Sequence, residues 1–379
     1  MLLAIPVACV LTVGMAVGAE QDASGRARHA YARAVELETA GNHAGALSLL
    51  WEAAGLAPRD ADVQNRLGEA LERMGALDAA VDAYRSALSA RPDFRKASNN
   101  LILALVKAGK GEEAVQRARA LAAASPEDPD RHFTLGLAQS EQNVTDAIAS
   151  FRRVLAIAPR HTLARYNLAL VLRRADRLPE AIDELERALA IEPRAEVQYT
   201  LGVIYWHQGD LERAARALRA AVAAQPDYAD AHSALGAVLK STRDWRGAAT
   251  SLRRAIALRP DLPAAHYTLS QVLQSSGDAR GARAHLADAE RLRLRAQVEQ
   301  EAGVWTSVGT GQLDGGDPAA AIACFRRAIA AFEAYAPAHY QMGRALQRLN
   351  RPEAARAAFA RARQLNPGLV PPPDGHPPK

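Results

Sequence analysis

Seven prolines stand in near-constant step along the chain: Pro58, Pro92, Pro126, Pro159, Pro193, Pro226 and Pro260, at intervals of 34, 34, 33, 34, 33 and 34 residues. A fixed period of that size cannot be accommodated by a single closed core. It requires a stack of similar supersecondary units, each of which buries its apolar face only against its neighbours. Such a chain offers a long surface rather than one enclosed pocket.

The residues around each proline repeat with it. Twelve positions earlier stands an alanine (Ala46, Ala80, Ala114, Ala147, Ala181, Ala214, Ala248). Eight positions earlier the residue is apolar, as in Leu50, Tyr84, Phe151, Leu185, Leu218 and Leu252, with Ala118 the weak member. Five positions earlier it is again apolar, from Ala53 to Ala255. Spacings of three and four put these side chains on one face of a helix, and the proline ends that helix because it lacks an N–H and restricts its predecessor. Upstream lies a second helix, joined by a turn that often carries glycine: Gly41, Gly75, Gly109, Gly209, Gly277. A glycine just past a helix end takes the left-handed cap that other residues resist. Within this earlier helix a leucine precedes a small residue, as in Leu67-Gly68, Leu135-Gly136, Leu168-Ala169, Leu201-Gly202 and Leu235-Gly236, which allows the two helices to approach closely.

From Pro260 the next proline in register is Pro367, a gap of 107, or three repeats of 34 plus five. Ala282, Leu286 and Ala289 mark an eighth unit, with Leu294 where proline is due. Residues Ala279 to Glu301 then read as unbroken helix former, and residues 297–301 as an insertion that lengthens it. Trp305 opens a ninth unit, closed by Glu333 at the proline position, and Ala355, Phe359, Ala362 and Pro367 complete a tenth. Two turns are short by about one residue, near Asn143 and before Glu196. The expected organisation is therefore residues 1–19 as a signal peptide or N-terminal anchor, repeats one to eight over 27–296, the insertion 297–301, repeats nine and ten over 302–369, and a proline-rich tail over 370–379.

This helix–turn–helix unit resembles the tetratricopeptide repeat. Trp305, Val308, Gly309, Ala321, Phe325 and Ala328 reproduce that family's spacing within one unit, and the likeness recurs in register over residues 27–369. The resemblance implies an all-α fold, a right-handed superhelical solenoid of antiparallel helix pairs. It also implies a concave groove lined by the first helix of each unit, with the fifth, ninth, twelfth and thirteenth positions facing it.

Composition agrees with this picture: aromatic content is 5%, and the net charge of +5 is spread along the chain. The apolar run Leu2–Gly18 ends in small residues before Glu20, a signal-like pattern without a preceding Lys or Arg. It predicts export, to a bacterial periplasm, or tethering if the segment is retained. After that segment only Cys324 remains, so an exported chain without it is expected to have no internal disulfide.

No catalytic constellation survives inspection. Gly309-Thr310-Gly311 and Gly315-Gly316 suggest a phosphate loop, but no strand precedes them and both sites coincide with repeat positions. Asp60-Ala61-Asp62 falls in an inter-repeat loop, and Asn143-Val144-Thr145 is a glycosylation sequon. His132, His232, His266 and His339 recur at the fourth position of their units. Successive first helices lie about 10 Å apart, too far for shared metal ligation at about 2 Å. The expectation is a non-enzymatic chain with no metal and no cofactor.

The groove candidates follow from the resemblance. Its fifth position carries Tyr31, Phe133, Tyr166, Tyr199, Tyr267 and Tyr340, and tyrosine offers an apolar face with a polar tip. Beside them stand Lys107, Arg173, Arg174, Lys240, Arg344 and Arg348, with Glu69 and Glu196 as exceptions. Trp206 with His207, and Asn99, Asn100 and Asn167, complete the set. A basic, tyrosine-bearing groove suits a protein segment or extended peptide with acidic groups or a free carboxylate. The expected function is a scaffold for protein–protein interaction. The alternative is an accessory or substrate-recognition subunit of an enzyme such as a protein glycosyltransferase. Self-association through the arginine-rich C-terminal end (Arg351, Arg356, Arg361, Arg363) is a further expectation. Nucleic acid is not expected, because no basic run occurs.

Overall fold

The computed structural model describes residues 7–366 and Leu369, with side chains from residue 23 onward. The start of the signal-like segment and the proline-rich tail, with Pro367, lie outside the described residues. From residue 7 the segment is part of the first helix, and no helix of the described residues is long and apolar enough to cross a membrane.

The described residues form nineteen helices. They are α1 (Val7–Thr39), α2 (His43–Leu56), α3 (Ala61–Arg73), α4 (Leu77–Ala90), α5 (Arg95–Lys107), α6 (Gly111–Ala124), α7 (Pro129–Gln139), α8 (Val144–Ile157), α9 (Thr162–Arg174) and α10 (Leu178–Ile191). The series continues with α11 (Ala195–His207), α12 (Leu211–Ala224), α13 (Ala229–Ser241), α14 (Trp245–Leu258), α15 (Pro263–Ser275), α16 (Ala279–Asp314), α17 (Pro318–Ala331), α18 (Ala336–Arg348) and α19 (Pro352–Leu365). Ten helix pairs account for nineteen helices because α16 serves in two of them. Its first part packs on α15 and its last part on α17, where Phe325 meets Gly309. The expected insertion 297–301 lies inside this helix, and no turn separates the eighth unit from the ninth. By packing, the chain divides into one unit of residues 1–114 with 301–379 and a second of residues 115–300.

The turn chemistry explains the regularity. Gly41, Gly75, Gly109, Gly209, Gly277 and Gly316 all have positive φ, and Asp176, Arg243 and Asn350 take the same left-handed position in units that lack the glycine. In each case the next amide reaches back to the helix it has left, as in Asp210 N–H to the Tyr205 carbonyl at 2.9 Å and Asp244 N–H to the Leu239 carbonyl at 2.9 Å. That satisfies carbonyls otherwise orphaned at a helix end. The fourth unit, whose turn is short by one residue, closes without a left-handed residue: Asn143 N–H bonds the Gln139 carbonyl at 2.8 Å. Asn143 then caps α8 through its own side chain, which accepts from Thr145 and Asp146.

Between repeats, the fourth-position side chain locks the proline turn. His132 Nε2–H donates to the Pro126 carbonyl at 2.9 Å, His232 to Pro226 at 3.1 Å, His266 to Pro260 at 3.1 Å and His339 to Glu333 at 2.8 Å. Gln64 and Arg165 bond Pro58 and Pro159 in the same way. The recurrence of histidine thus has a structural cause: a donor is needed to satisfy the carbonyl that a proline turn leaves exposed.

Within a pair, the small residue of the first helix meets a large one of the second. A Cβ added at Gly68, Gly136, Gly309 or Gly343 would lie 2.5–2.7 Å from the ring of Tyr84, Phe151, Phe325 or Phe359. At Gly202 and Gly236 it would lie 2.6 and 2.5 Å from Leu218 and Leu252. In the third repeat the register carries Ile102 at the small-residue position and Ala118 at the large one, each 1% exposed. Each fully buried leucine of this type contributes on the order of 1.5–3 kcal/mol. Cys324 is buried beside Phe325, its thiol donating to Gln312 Oε1 at 3.2 Å.

Candidate functional site

The fifth-position aromatics do not share one environment. Phe133 is engaged in packing, its ring 5.9 Å from Phe151 and 5.1 Å from His161. Tyr340 stacks edge-on against Phe359 at 5.5 Å, and burial raises its phenol above the ordinary range despite Arg344 nearby. Tyr166, Tyr199 and Tyr267 are the more available members. Tyr166 Oη lies 3.4 Å from Thr200 Oγ1, Tyr199 packs on Tyr228 with centroids 5.1 Å apart, and Tyr267 is 50% exposed.

Tyr228 joins this row although it is not a fifth-position residue. It stands two places after Pro226, at the N-cap of α13. At the same place Asp60, Asp128 and His161 cap their helices with side-chain acceptors, whereas Phe94, Tyr228, Leu262 and Tyr335 make no side-chain cap. An aromatic there gives up a capping bond and gains a face on the neighbouring repeat; the Pro-Asp-Tyr sequence is the signal that marks it. Burial first, then Tyr199 and Tyr166, push the Tyr228 phenol up to about 12. Tyr199 is raised by burial and by Asp230, with Arg173 acting in the opposite sense.

The basic candidates divide in the same way. Arg173 is exposed at the end of α9 and pairs with no carboxylate among the described residues. Arg174 is taken up by the preceding repeat, donating to the Glu141 carbonyl at 3.1 Å and pairing with its carboxylate at 3.0 Å. Asn167 donates to the Leu163 carbonyl of its own helix at 2.8 Å. Lys240 donates to Gln271 Oε1 at 2.7 Å, a neutral partner that leaves its charge uncancelled. Trp206 is half-buried, 5.9 Å from the ring of exposed His207. Lys240 and Tyr267 line a cleft of about 600 Å³ with Trp245, Gln271, Gln274 and Leu286, all within the second unit.

In the first unit the expected basic lining is cancelled at Lys107, whereas Arg344 and Arg348 bond the neutral acceptors Gln341 and the Leu313 carbonyl. Lys107 pairs with Glu72 at 2.5 Å and Lys96 with Glu69 at 2.6 Å, while Glu38 takes Arg66 and Arg73. Burial would raise the Glu69 carboxyl, but Lys96, Asn65 and Arg66 together hold it below the ordinary range. Tyr84 donates to Glu72 at 3.0 Å, and its phenol is raised by burial and then by that carboxylate. Arg344, with Tyr340, lines a separate cleft of about 870 Å³ in this unit, where Trp51, Lys107, Asp78 and Tyr335 also lie.

Of the four recurring histidines, His132, His232 and His339 direct Nε2 to the turn carbonyl. His266 does so too, but its Nδ1 faces His285 on α16. Fourth-position register relates first-helix histidines only, whereas His285 stands on the second helix of the same pair.

Helix pairs in 34-residue register, joined by left-handed turns and crossing at glycine, define a helical repeat protein. The chain belongs to the tetratricopeptide repeat family: its profiles match residues 25–93, 99–160, 138–204, 199–263, 263–288 and 312–370. No curated protein matches. Among solved structures, a tetratricopeptide repeat protein from Parabacteroides merdae is 18% identical, with a TM-score of 0.52 over 66% of this chain and 99% of its own. YrrB, described as a TPR protein with an unusual peptide-binding site, is 19% identical, covering 46% of this chain and 91% of its own with a TM-score of 0.41. MamA from Desulfovibrio magneticus RS-1 is 23% identical, with 44% and 95% covered and a TM-score of 0.39.

Proposed function

We propose that the chain is a scaffold that binds an extended protein segment on the face bearing Tyr166, Tyr199 and Tyr228, with Arg173 reading an acidic group of that segment. The observation that carries this reading is the run of half-exposed phenols on consecutive repeats beside an uncancelled guanidinium. Tyrosines give large contact area at low conformational cost, and an exposed guanidinium matches a carboxylate bidentately. Trp245, Lys240 and Tyr267 extend the surface by a further cleft. In the proposed setting the chain is exported, on the reading of residues 1–19 as a signal peptide or anchor.

The test is selection of peptides from a random library on the full chain, followed by affinity measurement with fluorescence anisotropy. Tyr199→Ala and Arg173→Glu should each weaken binding at least about tenfold, a loss of about 1.4 kcal/mol. Amidation of an acidic or C-terminal carboxylate in the selected peptide should weaken it comparably. Unchanged affinity in both variants would refute the assignment of this face.

A further inference from the structure

The eighth helix pair holds a side-chain cluster that neither the repeat pattern nor the proposed binding face uses. His266 on α15 and His285 and Asp288 on α16 place one potential ligand atom each within 4.8 Å of the others. The Nδ1 atoms of the two histidines are 3.1 Å apart, and Asp288 Oδ2 lies 3.7 Å from His266 Nδ1. For bonds of about 2.0–2.1 Å at a tetrahedral centre, neighbouring ligand atoms stand about 3.3–3.4 Å apart. The two distances bracket that value, and the third, between His285 and Asp288, is within 4.8 Å.

A second layer of contacts orients two of the three groups, His266 and Asp288, in the required sense. His266 donates its Nε2–H to the Pro260 carbonyl, which fixes the tautomer with a free lone pair on Nδ1, toward the cluster. Metal-bound histidines typically have their other nitrogen held by such an acceptor. Arg291 donates to Asp288 Oδ1 at 2.8 Å, leaving Oδ2 turned to His266. Arg291, by holding the Asp288 carboxyl below its ordinary range, also keeps it ionised. Burial, followed by His266, lowers the His285 pKa, with Arg253 acting the same way and Asp288 and Asp278 in opposition. His266 is buried, while Asp288 and His285 are partly open, so the cluster can be reached from solvent.

We infer that His266, His285 and Asp288 form a binding site for a divalent transition cation of the zinc class, with a coordination position left for water or a ligand atom. Two imidazoles and one carboxylate are the donor set of three-ligand zinc sites, and imidazole disfavours the hard cations Mg²⁺ and Ca²⁺. In the metal-free protein His285 Nδ1–H donates to His266 Nδ1. Metal entry shifts that proton to His285 Nε2, so both Nδ1 lone pairs reach the cation and no net proton is released from the pair.

The full chain, freed of metal by a chelator and carrying no affinity tag, is titrated with Zn²⁺ against a chromophoric indicator and with Co²⁺ by visible absorption. The expected result is one tight equivalent, with tetrahedral Co²⁺ absorption, unaffected by excess Mg²⁺ or Ca²⁺. His285→Asn and Asp288→Asn should each weaken that equivalent at least about 100-fold, since loss of an outer-layer partner alone costs 10–100-fold. His207→Asn, at an exposed histidine elsewhere, should leave it unchanged. Both ligand substitutions are at partly exposed positions, and circular dichroism confirms that each variant is folded. Absence of a tight equivalent, or the same affinity in His285→Asn and Asp288→Asn as in the parent, overturns the site.

Discussion

The close approach of glycine to leucine within a helix pair makes a prediction that can be worked through at Gly236. This residue sits inside α13, where glycine is intrinsically unfavourable, so alanine there should gain about 0.5–1 kcal/mol from backbone entropy. The added Cβ would, however, lie 2.5 Å from Leu252 Cγ, 2.9 Å from Leu252 Cδ2 and 3.2 Å from the Ala248 carbonyl oxygen. Leu252 and Ala248 are both fully buried, and the nearest atom is a branch carbon rather than a mobile tip. Overpacking of this kind costs about 1–3 kcal/mol, so Gly236→Ala should be destabilising overall, by up to about 2 kcal/mol.

In a Leu252→Ala background the balance should invert. That substitution alone costs about 2–5 kcal/mol through lost burial and the cavity left behind. It also removes two of the three close atoms, so Gly236→Ala then stabilises by up to about 1 kcal/mol, limited by the Ala248 carbonyl. The coupling between the sites is therefore about 1–3 kcal/mol. Repeat arrays do not unfold as one unit, so the measurement is native-state hydrogen exchange of α13 and α14 amides, which reports local opening. If the two substitutions add to within about 0.5 kcal/mol, the close crossing at glycine is not what sets the helix approach.

Further expectations follow from the turns and the tyrosine row. Arg243 is exposed and holds a left-handed conformation at φ 62°, so Arg243→Gly should stabilise the α13–α14 pair by about 0.5–1 kcal/mol in the same exchange experiment. His232→Ala should destabilise by about 0.5–1 kcal/mol by leaving the Pro226 carbonyl only the long 3.5 Å bond from Arg254, and His232→Gln should recover most of it because Gln64 makes that bond at Pro58. Tyr228 holds its proton to about pH 12 when folded and to about 10 when unfolded. The folded state then binds more protons across that window, so stability should fall as pH rises from about 10 to 12. Ultraviolet titration should show a late phenol that Tyr228→Phe removes.

The repeat could be read from sequence because its determinants are local to the backbone. A helix end needs a left-handed residue and a proline turn needs a break in donors, and both leave fixed residue types behind. The crossing residues are legible for a related reason: a glycine that faces a large side chain leaves correlated sizes, as at Gly68 and Tyr84. The long helix α16 was foreseen as far as Glu301 but not beyond, since Trp305 keeps the repeat register whether or not a turn precedes it. Charges were the least legible. Arg174 reaches Glu141, Lys107 reaches Glu72 and Arg259 reaches Asp230, partners 29 to 35 residues away in an adjacent repeat. Counting signs at groove positions misses such pairs, because long side chains span the distance between repeats. His285 is not legible in the register, which relates like positions of successive repeats, whereas His266 meets an unlike one.

That cross-repeat pairing bears directly on how the proposed face should respond to salt. A groove with all its basic residues free would lose affinity steeply as ions screen it. Here Arg174 and Arg259 are neutralised by Glu141 and Asp230, whereas Arg173 and Lys240 have no carboxylate partner among the described residues. Exposed charges further apart than about 8–10 Å are largely screened at physiological ionic strength, so a peptide carboxylate at Arg173 should feel little else. Affinity for an acidic peptide should accordingly fall only a few-fold between low and physiological salt, and Arg173→Gln should abolish most of that dependence while the tyrosine contribution persists. A steep dependence that survives Arg173→Gln would mean that the peptide lies along a different, more basic surface of the chain.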